Sequence, residues 1–413
     1  MIDQSFLTAA RERYAAANAA TLRWMLARPP LLGRFLNTKL HPVTLTDYTA
    51  ADGHRAPNYI YGWIQGRGLE SLVTHAAFFE HSDPALAAQL DAAVATLYDA
   101  LNALQSRDGH AYFTYDADLA PVYPDAEGRI QPQVPAGDIY TYADTFVAKG
   151  LVAAAVRLGR ATDIERHLAY FRQVVAAIED GRFQIEERRQ LSRDELARQP
   201  NDFGPRMIAL GAAGLLRRLG FPGECGYADR FIAHVLAKHF ESRSQLLANV
   251  PGEETCNVGH GIEFVGFALD HLPADAAPDL VRQLESILVA SFRTGFVGPG
   301  IALIVSTRTG EVLNPLCPWW SLPETIRSAA LCYERTQNPA SLDAWRRSDK
   351  AFFGLFWRGS PAVAFQTMTP EGPIDYVPAT PDLDPGYHTG LSLLAAIHVA
   401  DALGASAPAT VAT

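Results

Sequence analysis

The sequence predicts an all-α fold, a closed ring of six helix hairpins or (α/α)6 barrel, over residues 1–404, followed by a short disordered tail, 405–413. Three observations predict it. Hydrophobic periodicity is helical almost throughout, the periodic segments number twelve, and many neighbours among them are joined by short polar or proline-containing breaks.

Taken in order, helices are expected at 3–27, 65–81, 84–106, 141–158, 162–180, 201–219, 223–241, 260–273, 275–292, 322–336, 338–356 and 386–403, from apolar faces and Gly/Pro stops. The breaks His81–Pro84, Gly159–Asp163, Gly220–Gly223 and His271–Ala274 are the length at which antiparallel helix hairpins connect. If the first helix pairs with the last, six hairpins close into a toroid with an inner ring, an outer ring and a central funnel. Strand-like alternation is confined to short pieces such as Ile301–Ser306 and Ala362–Met368. The longer connections, 28–64, 107–140, 242–259, 293–321 and 357–385, alternate with short ones, so one end of the toroid is elaborated and function is expected there. No composition shift marks a second domain.

Composition narrows the partners. With 48% hydrophobic and 19% charged residues the chain can bury a large core and is not a disordered one. A formal charge of −10 and no Lys/Arg block give no electrostatic footprint for nucleic acid. Cys225, Cys256, Cys317 and Cys332 form no CxxC pair and read as reduced core or pocket residues. Met1–Met25 carries Asp3, Arg11, Glu12 and Arg13, unlike a signal peptide, and the uncharged stretch Gly295–Thr307 is far short of the roughly 20 residues that span a bilayer. A cytoplasmic protein without a membrane anchor is expected, and a homodimer would suit the broad outer ring.

Four segments carry chemistry. In Asn257-Val258-Gly259-His260-Gly261-Ile262-Glu263-Phe264 glycines flank a histidine at a helix start. His260 and Glu263 are three apart and share a helical face, where a carboxylate sets an imidazole's tautomer and basicity; the alternative is a capping loop with an ordinary polar pair. Pro385-Gly386-Tyr387-His388-Thr389-Gly390 repeats that setting, and two such helix starts on one ring converge on the funnel mouth. Trp63-Ile64-Gln65-Gly66-Arg67-Gly68 places one arginine between glycines, either at the surface or buried where its fixed donors meet a sugar oxygen or a developing enolate. Cys317-Pro318-Trp319-Trp320-Ser321-Leu322-Pro323-Glu324 joins aromatic faces that stack on sugars, or fill a core, to a carboxylate that accepts hydroxyl hydrogen bonds or caps the next helix. The histidines at 41, 54, 75, 81 and 398 carry no such setting. No HExxH, CxxC, P-loop or dinucleotide motif is present, so neither metal nor cofactor is expected. Hydrolysis would need two carboxylates across a cleft, with Asp138, Asp144 and Glu324 the candidates.

In order along the chain, Gln65-Gly66-Arg67, Asn257–Glu263, Trp319–Glu324 and Tyr387-His388, with weaker matches at Asp108–Phe113 and Pro205–Leu210, resemble the signature segments of the N-acylglucosamine 2-epimerase family over roughly residues 58–400. The resemblance implies an (α/α)6 barrel acting on an open-chain sugar. It implies His260 and His388 as the acid/base pair, Arg67 on the carbonyl or enolate oxygen, and Glu263 and Glu324 as orienting groups. Trp320 would line the sugar pocket, with Trp319, Glu324, Tyr61 and Asn257 as further substrate contacts. Departures stand at Leu322, where the family often has His or Gln, at Leu391, where some members have a basic residue, and at Ile208, where the mannose-isomerase-like branch has a Met-His pair.

The expected chemistry is proton transfer at the carbon beside a sugar carbonyl. Such a C–H is a poor acid, so it needs a neutral base and a donor or cation on the oxygen. Two histidines permit C2 epimerisation or aldose–ketose isomerisation. A glycoside hydrolase or lyase, or a sugar- or protein-binding module without activity, remain the alternatives on the same barrel.

Overall fold

All twelve periodic segments fold as helices in the computed structural model, which describes residues 4–376 and 379–405. They are α1 (Gln4–Leu26), α2 (Gly62–Phe79), α3 (Pro84–Asp108), α4 (Tyr142–Arg157), α5 (Ala161–Glu179), α7 (Gly204–Arg218), α8 (Gly226–Lys238), α9 (Val258–His271), α10 (Pro278–Gly295), α11 (Ser321–Thr336), α12 (Pro339–Ala351) and α13 (Ser392–Ala405). A short unexpected helix, α6 (Arg193–Arg198), is capped by the Ser192 hydroxyl, which accepts from the Glu195 N–H. Two π-turns, Phe352–Phe356 running on from α12 and Tyr387–Leu391 leading into α13, and two 3-10 turns, Gly53–Arg55 and Pro222–Cys225, are also present.

The packing is that of an (α/α)6 barrel. Helices α2, α4, α7, α9 and α11 pack each against the next, and α13 with its π-turn closes the inner ring between α11 and α2. Outside them lie α3 on α2, α5 on α4, α8 on α7, α10 on α9, α12 on α11, and α1 on α13, which joins the two ends of the chain. Burial follows these positions. Helix α4 is buried at every residue from Tyr142 to Ala155, whereas outer α5 buries one stripe, including His167, Phe171, Val174 and Ile178, at helical spacing. The Trp345 indole on α12, fully buried, donates to the Tyr14 hydroxyl of α1 at 2.9 Å and ties the closing helix to its neighbour. Truncating such a tryptophan costs about 3–5 kcal/mol.

Local chemistry sets the helix ends. Asp83 caps α3, accepting from the Leu86 N–H at 3.1 Å, Pro84 occupies the first turn, and Gly109 stops the helix at φ +72°. Thr141 and Asp144 form a capping box at the start of α4. Glycine also sets the spacing of the inner ring: a Cβ on Gly66 would lie 2.6 Å from the Phe146 carbonyl carbon, and one on Gly150 2.8 Å from the Gly66 oxygen. Helices α2 and α4 therefore touch backbone to backbone.

Every connection from an outer helix into an inner one is long, and every return is short, down to Gln337-Asn338 between α11 and α12. The elaboration thus stands at the N-terminal ends of the inner helices. It carries antiparallel strands: β1 (Ile60–Tyr61), β2 (Thr114–Tyr115), β3 (Pro121–Pro124) and β4 (Ile130–Pro132) in one sheet, and the pair β5 (Phe240–Glu241) and β6 (Leu246–Leu247). Two more sheets follow, β7 (Thr255–Asn257), β8 (Ile304–Ser306) and β9 (Val312–Asn314), and β10 (Cys317–Pro318), β11 (Thr367–Thr369) and β12 (Gly372–Pro373). The expected alternation at 301–306 and 362–368 survives only as β8 and β11. Of the expected tail, Ala405 ends α13 and 406–413 lie outside the described residues. All four cysteines are free and buried, and among the described residues no helix is long and apolar enough to cross a membrane.

Candidate active site

The N-termini of the inner helices converge on a cavity of about 400 Å³, within the roughly 300–1,000 Å³ of small-molecule sites. Helix N-termini carry partial positive charge, so this end of the barrel favours anionic groups and developing negative charge. His260, His388, Arg67 and Glu263 all line it, with Asn257, Trp319 and Trp320.

His388 sits in the π-turn before α13, a local widening of the helix that recurs at functional sites. Asp384 holds that turn, Oδ1 accepting from the Tyr387 and His388 N–H groups at 2.9 and 3.2 Å and Oδ2 from Thr389 at 2.8 Å. The imidazole Nδ1 is 2.9 Å from Glu324 Oε1, and Glu324 Oε2 is 3.1 Å from the Arg327 guanidinium, all of them buried. A carboxylate on Nδ1 fixes the proton there and leaves Nε2 as the free base. Burial pushes the Glu324 carboxyl up, but Arg327 and His388 outweigh it and hold it below its ordinary range. Burial lowers the His388 pKa, with Glu324 offsetting part of the fall, so the ring is neutral near pH 7.

His260 enters from α9, whose first turn is capped by Asn257, its Oδ1 accepting the His260 N–H at 3.3 Å. The Trp320 ring contacts both imidazoles, with centroids 5.4 Å from His260 and 5.7 Å from His388 at tilts of 32° and 37°. Gly259 makes room for that indole, since a Cβ there would fall 2.5 Å from it. His260 Nδ1 is buried without a hydrogen-bond partner. Burial, then the neighbouring His388, lowers the His260 pKa to about 4.

The expected pairing of Glu263 with His260 is not found. Although three residues apart on α9, the Glu263 carboxyl lies on the His388 side, 3.8 Å from Nδ1, because the His260 ring turns toward Trp320. Burial and then Glu324 raise the Glu263 pKa above the carboxylate range. Glu263, Glu324 and His388 place three potential metal-ligand atoms within 4.8 Å of one another. His388 and Glu324 are already engaged with each other and Glu324 with Arg327, whereas Glu263 Oε1 is buried without a hydrogen-bond partner, and a cation there would face the Arg327 guanidinium.

Arg67 is buried on the second turn of α2 within an aromatic cage, its guanidinium carbon 4.1 Å from the Phe146 ring centre, 5.1 Å from Trp63 and 5.3 Å from Tyr387. Nearby buried cations have carboxylates: Lys149 pairs with Glu70 at 2.8 Å and donates to the Tyr387 hydroxyl at 2.5 Å, and Arg327 pairs with Glu324. Arg67 has none within ion-pair distance among the described residues, and its Nε is buried and unpartnered. Its charge borders the cavity without a close ion pair, offset only at longer range by Glu263, Asp384 and Glu324.

The remaining expectations divide. Glu324 stands behind His388 and not in the cavity wall. Tyr61 is no part of the wall either: it is buried on β1, edge-on to Phe113, and donates to the His54 carbonyl at 3.0 Å. Asp138 is half-exposed and ion-paired to Arg193, and Asp144 is buried accepting from Tyr170 at 2.5 Å and from the Ala111 N–H at 3.0 Å, so neither faces the cavity. Ile208 lines the cavity, Leu322 is core, and Leu391 borders a separate small cavity at the opposite barrel end. Sequence reasoning missed Trp63, Phe113, Tyr142, Asp202 and above all Glu187, from the 180–203 connection, which the expected helices left open but which was not counted among the elaborated connections. One signal was legible: Lys149 sits in the uncharged run Tyr142–Ala155 outside Asp144, and a lysine with no solvated face needs a buried partner.

No family model and no curated protein sequence matches this chain. Solved structures do match its fold. Cellobiose 2-epimerase from Spirochaeta thermophila aligns at TM-score 0.72 and 15% identity over 97% of this chain and 98% of that one. D-mannose isomerase aligns at 0.66 and 13% over 95% and 97%. Cellobiose 2-epimerase from Bacillus thermoamylovorans aligns at 0.63 and 16% over 88% and 92%. The fold implied by the signature segments is therefore the fold present.

Proposed function

We propose that the chain is a sugar isomerase of the N-acylglucosamine 2-epimerase kind, inverting an aldose at C2 through an enediolate. The observation that carries this reading is the meeting of two neutral imidazoles and one unpaired guanidinium in a single cavity.

In the open-chain sugar, His388 Nε2, freed by Glu324 on Nδ1, removes the hydrogen at C2. As that C–H bond breaks, its electron pair moves toward C1 and charge grows on the carbonyl oxygen, where Arg67 holds it. A preorganised donor in such a position is worth about 2.7–4 kcal/mol of the barrier. With Glu263 protonated, Arg67 has no ion-pair partner of its own, whereas Lys149 and Arg327 are held by Glu70 and Glu324, so its positive charge is available to the enediolate. His260, having taken a proton from solvent, returns hydrogen to C2 from the other face and is neutral again, while His388 releases the proton it removed to solvent. Transfer between C1 and C2 on one face needs one base, and the presence of two imidazoles favours epimerisation over aldose–ketose isomerisation. The solved relatives named as 2-epimerases and as a mannose isomerase carry out reactions of this class.

The test is an NMR screen of N-acetylglucosamine, N-acetylmannosamine, glucose, mannose, fructose and cellobiose. Appearance of the C2 epimer of one of them is expected. Binding without conversion of any, or release of a reducing end from a glycoside, contradicts the proposal.

A further inference from the structure

Glu187 has no place in the chemistry above, yet it is buried at 4% exposure in the wall of the same cavity. It comes from the connection between α5 and α7 and binds two inner helices. One carboxyl oxygen accepts the Ala143 N–H at 3.2 Å in the first turn of α4, and the other accepts the Trp63 indole N–H of α2. Trp63 is in turn one face of the cage around Arg67 and packs edge-on to Phe113 and Tyr142. Arg67 has no carboxylate partner to fix its direction, so its aim rests on the rings around it.

We infer that Glu187 is a positioning residue, which locks the Trp63 indole against Arg67 and thereby points the guanidinium at the oxygen that gains charge. The inference rests on the proposed function for its kinetic consequence, but not for its geometry. Both Glu187 oxygens accept N–H bonds. In Glu187→Gln the amide has one acceptor for two N–H donors, so either the Ala143 N–H or the Trp63 indole N–H faces an NH2 group, and the clamp that holds Trp63 to α4 is broken without any change of volume.

Glu187→Gln is expected to lower kcat by about 10- to 100-fold, the scale of an ångström-sized misplacement of a catalytic group, while KM changes little. Trp63→Phe removes the other partner, and the double variant is expected to be no worse than the poorer single one. An effect of Glu187→Gln on KM alone, or fully additive losses, would overturn the inference in favour of a direct substrate contact. A second measurement needs no turnover. In 15N spectra, the Trp63 indole signal, assigned by its loss in Trp63→Phe, and the ring-shielded Arg67 Nε–H signal are both expected to shift in Glu187→Gln. If neither moves, the lock does not exist whatever the protein catalyses; if both move and no sugar is converted, the proposed function fails and the lock stands.

Discussion

Replacing Glu324 with glutamine tests the most specific part of the mechanism, because the geometry predicts which way the new amide turns. Glu324 has Arg327 at 3.1 Å on one oxygen and His388 Nδ1 at 2.9 Å on the other. Arg327 is always charged and has only donors, so the amide carbonyl must face it and the NH2 must face His388. Nδ1 then becomes an acceptor, the proton moves to Nε2, and the cavity meets a donor where it needs a base. A wrong tautomer of this kind costs on the order of 10⁴ in kcat where a carboxylate–histidine pair has been tested in serine proteases. Loss of one partner from a buried ion pair costs a further roughly 3–5 kcal/mol of stability, since Arg327 is left uncompensated. The assay is steady-state epimerisation by NMR, with thermal unfolding alongside to establish that the variant is folded at the assay temperature. A folded Glu324→Gln within tenfold of the wild-type kcat would refute the assignment of His388 as the oriented base.

Other outcomes follow from the same geometry. Arg67→Lys keeps the charge but loses the planar fork held between rings, and kcat should fall about 10²–10³-fold with a smaller change in KM. Gly259→Ala places a Cβ 2.5 Å from Trp320; overpacking of this kind costs about 1–3 kcal/mol, visible as a lower Tm, and kcat/KM should drop with it as the indole leaves the imidazoles. His260, with its folded pKa lowered by burial to about 4, stabilises the fold fully above its unfolded value near 6.5, and that contribution disappears as pH falls through 4. Thermal unfolding followed from pH 7 to 4 should therefore show a loss of stability that is smaller in His260→Gln. The alkaline limb of kcat/KM should come from Glu263, whose ionisation puts a negative charge near Arg67 and weakens its hold on the enediolate. It should vanish in Glu263→Gln, and persistence of the limb there would contradict the charge argument.

The helices were legible because each either buries one stripe, as α5 does, or none of its faces is polar, as in α4, and because Pro84, Gly109 and the Thr141–Asp144 box mark ends by local chemistry alone. That the side chains of His260, Arg67 and His388 share one cavity was legible too, since the first two, between glycines, and His388, between Gly386 and Gly390, each mark the start of an inner helix and those starts share one end of the ring. What could not be read was direction. Helical spacing put Glu263 beside His260, but which neighbour a side chain meets depends on α11 and α13, which come from 60 or more positions away: Glu324 reaches His388 across 64 residues. Tyr61 was misplaced for a local reason, since its hydroxyl is taken by the His54 carbonyl only seven residues earlier, in a short 3-10 turn of the α1–α2 connection. Glu187 left no local mark, because Ile185-Glu186-Glu187-Arg188 reads as a solvated turn until α2 and α4 are brought against it.

The account stands on proton transfer at C2 by His388, and exchange with solvent measures that step without needing net conversion. With the sugar found in the screen incubated in D2O, the wild-type enzyme should introduce deuterium at C2 of recovered substrate and product. His388→Ala, with its helical circular dichroism unchanged, should introduce none above the enzyme-free rate. Deuterium entering C2 as fast with His388→Ala as with wild type, or turnover by the wild type with no deuterium at C2, would contradict it.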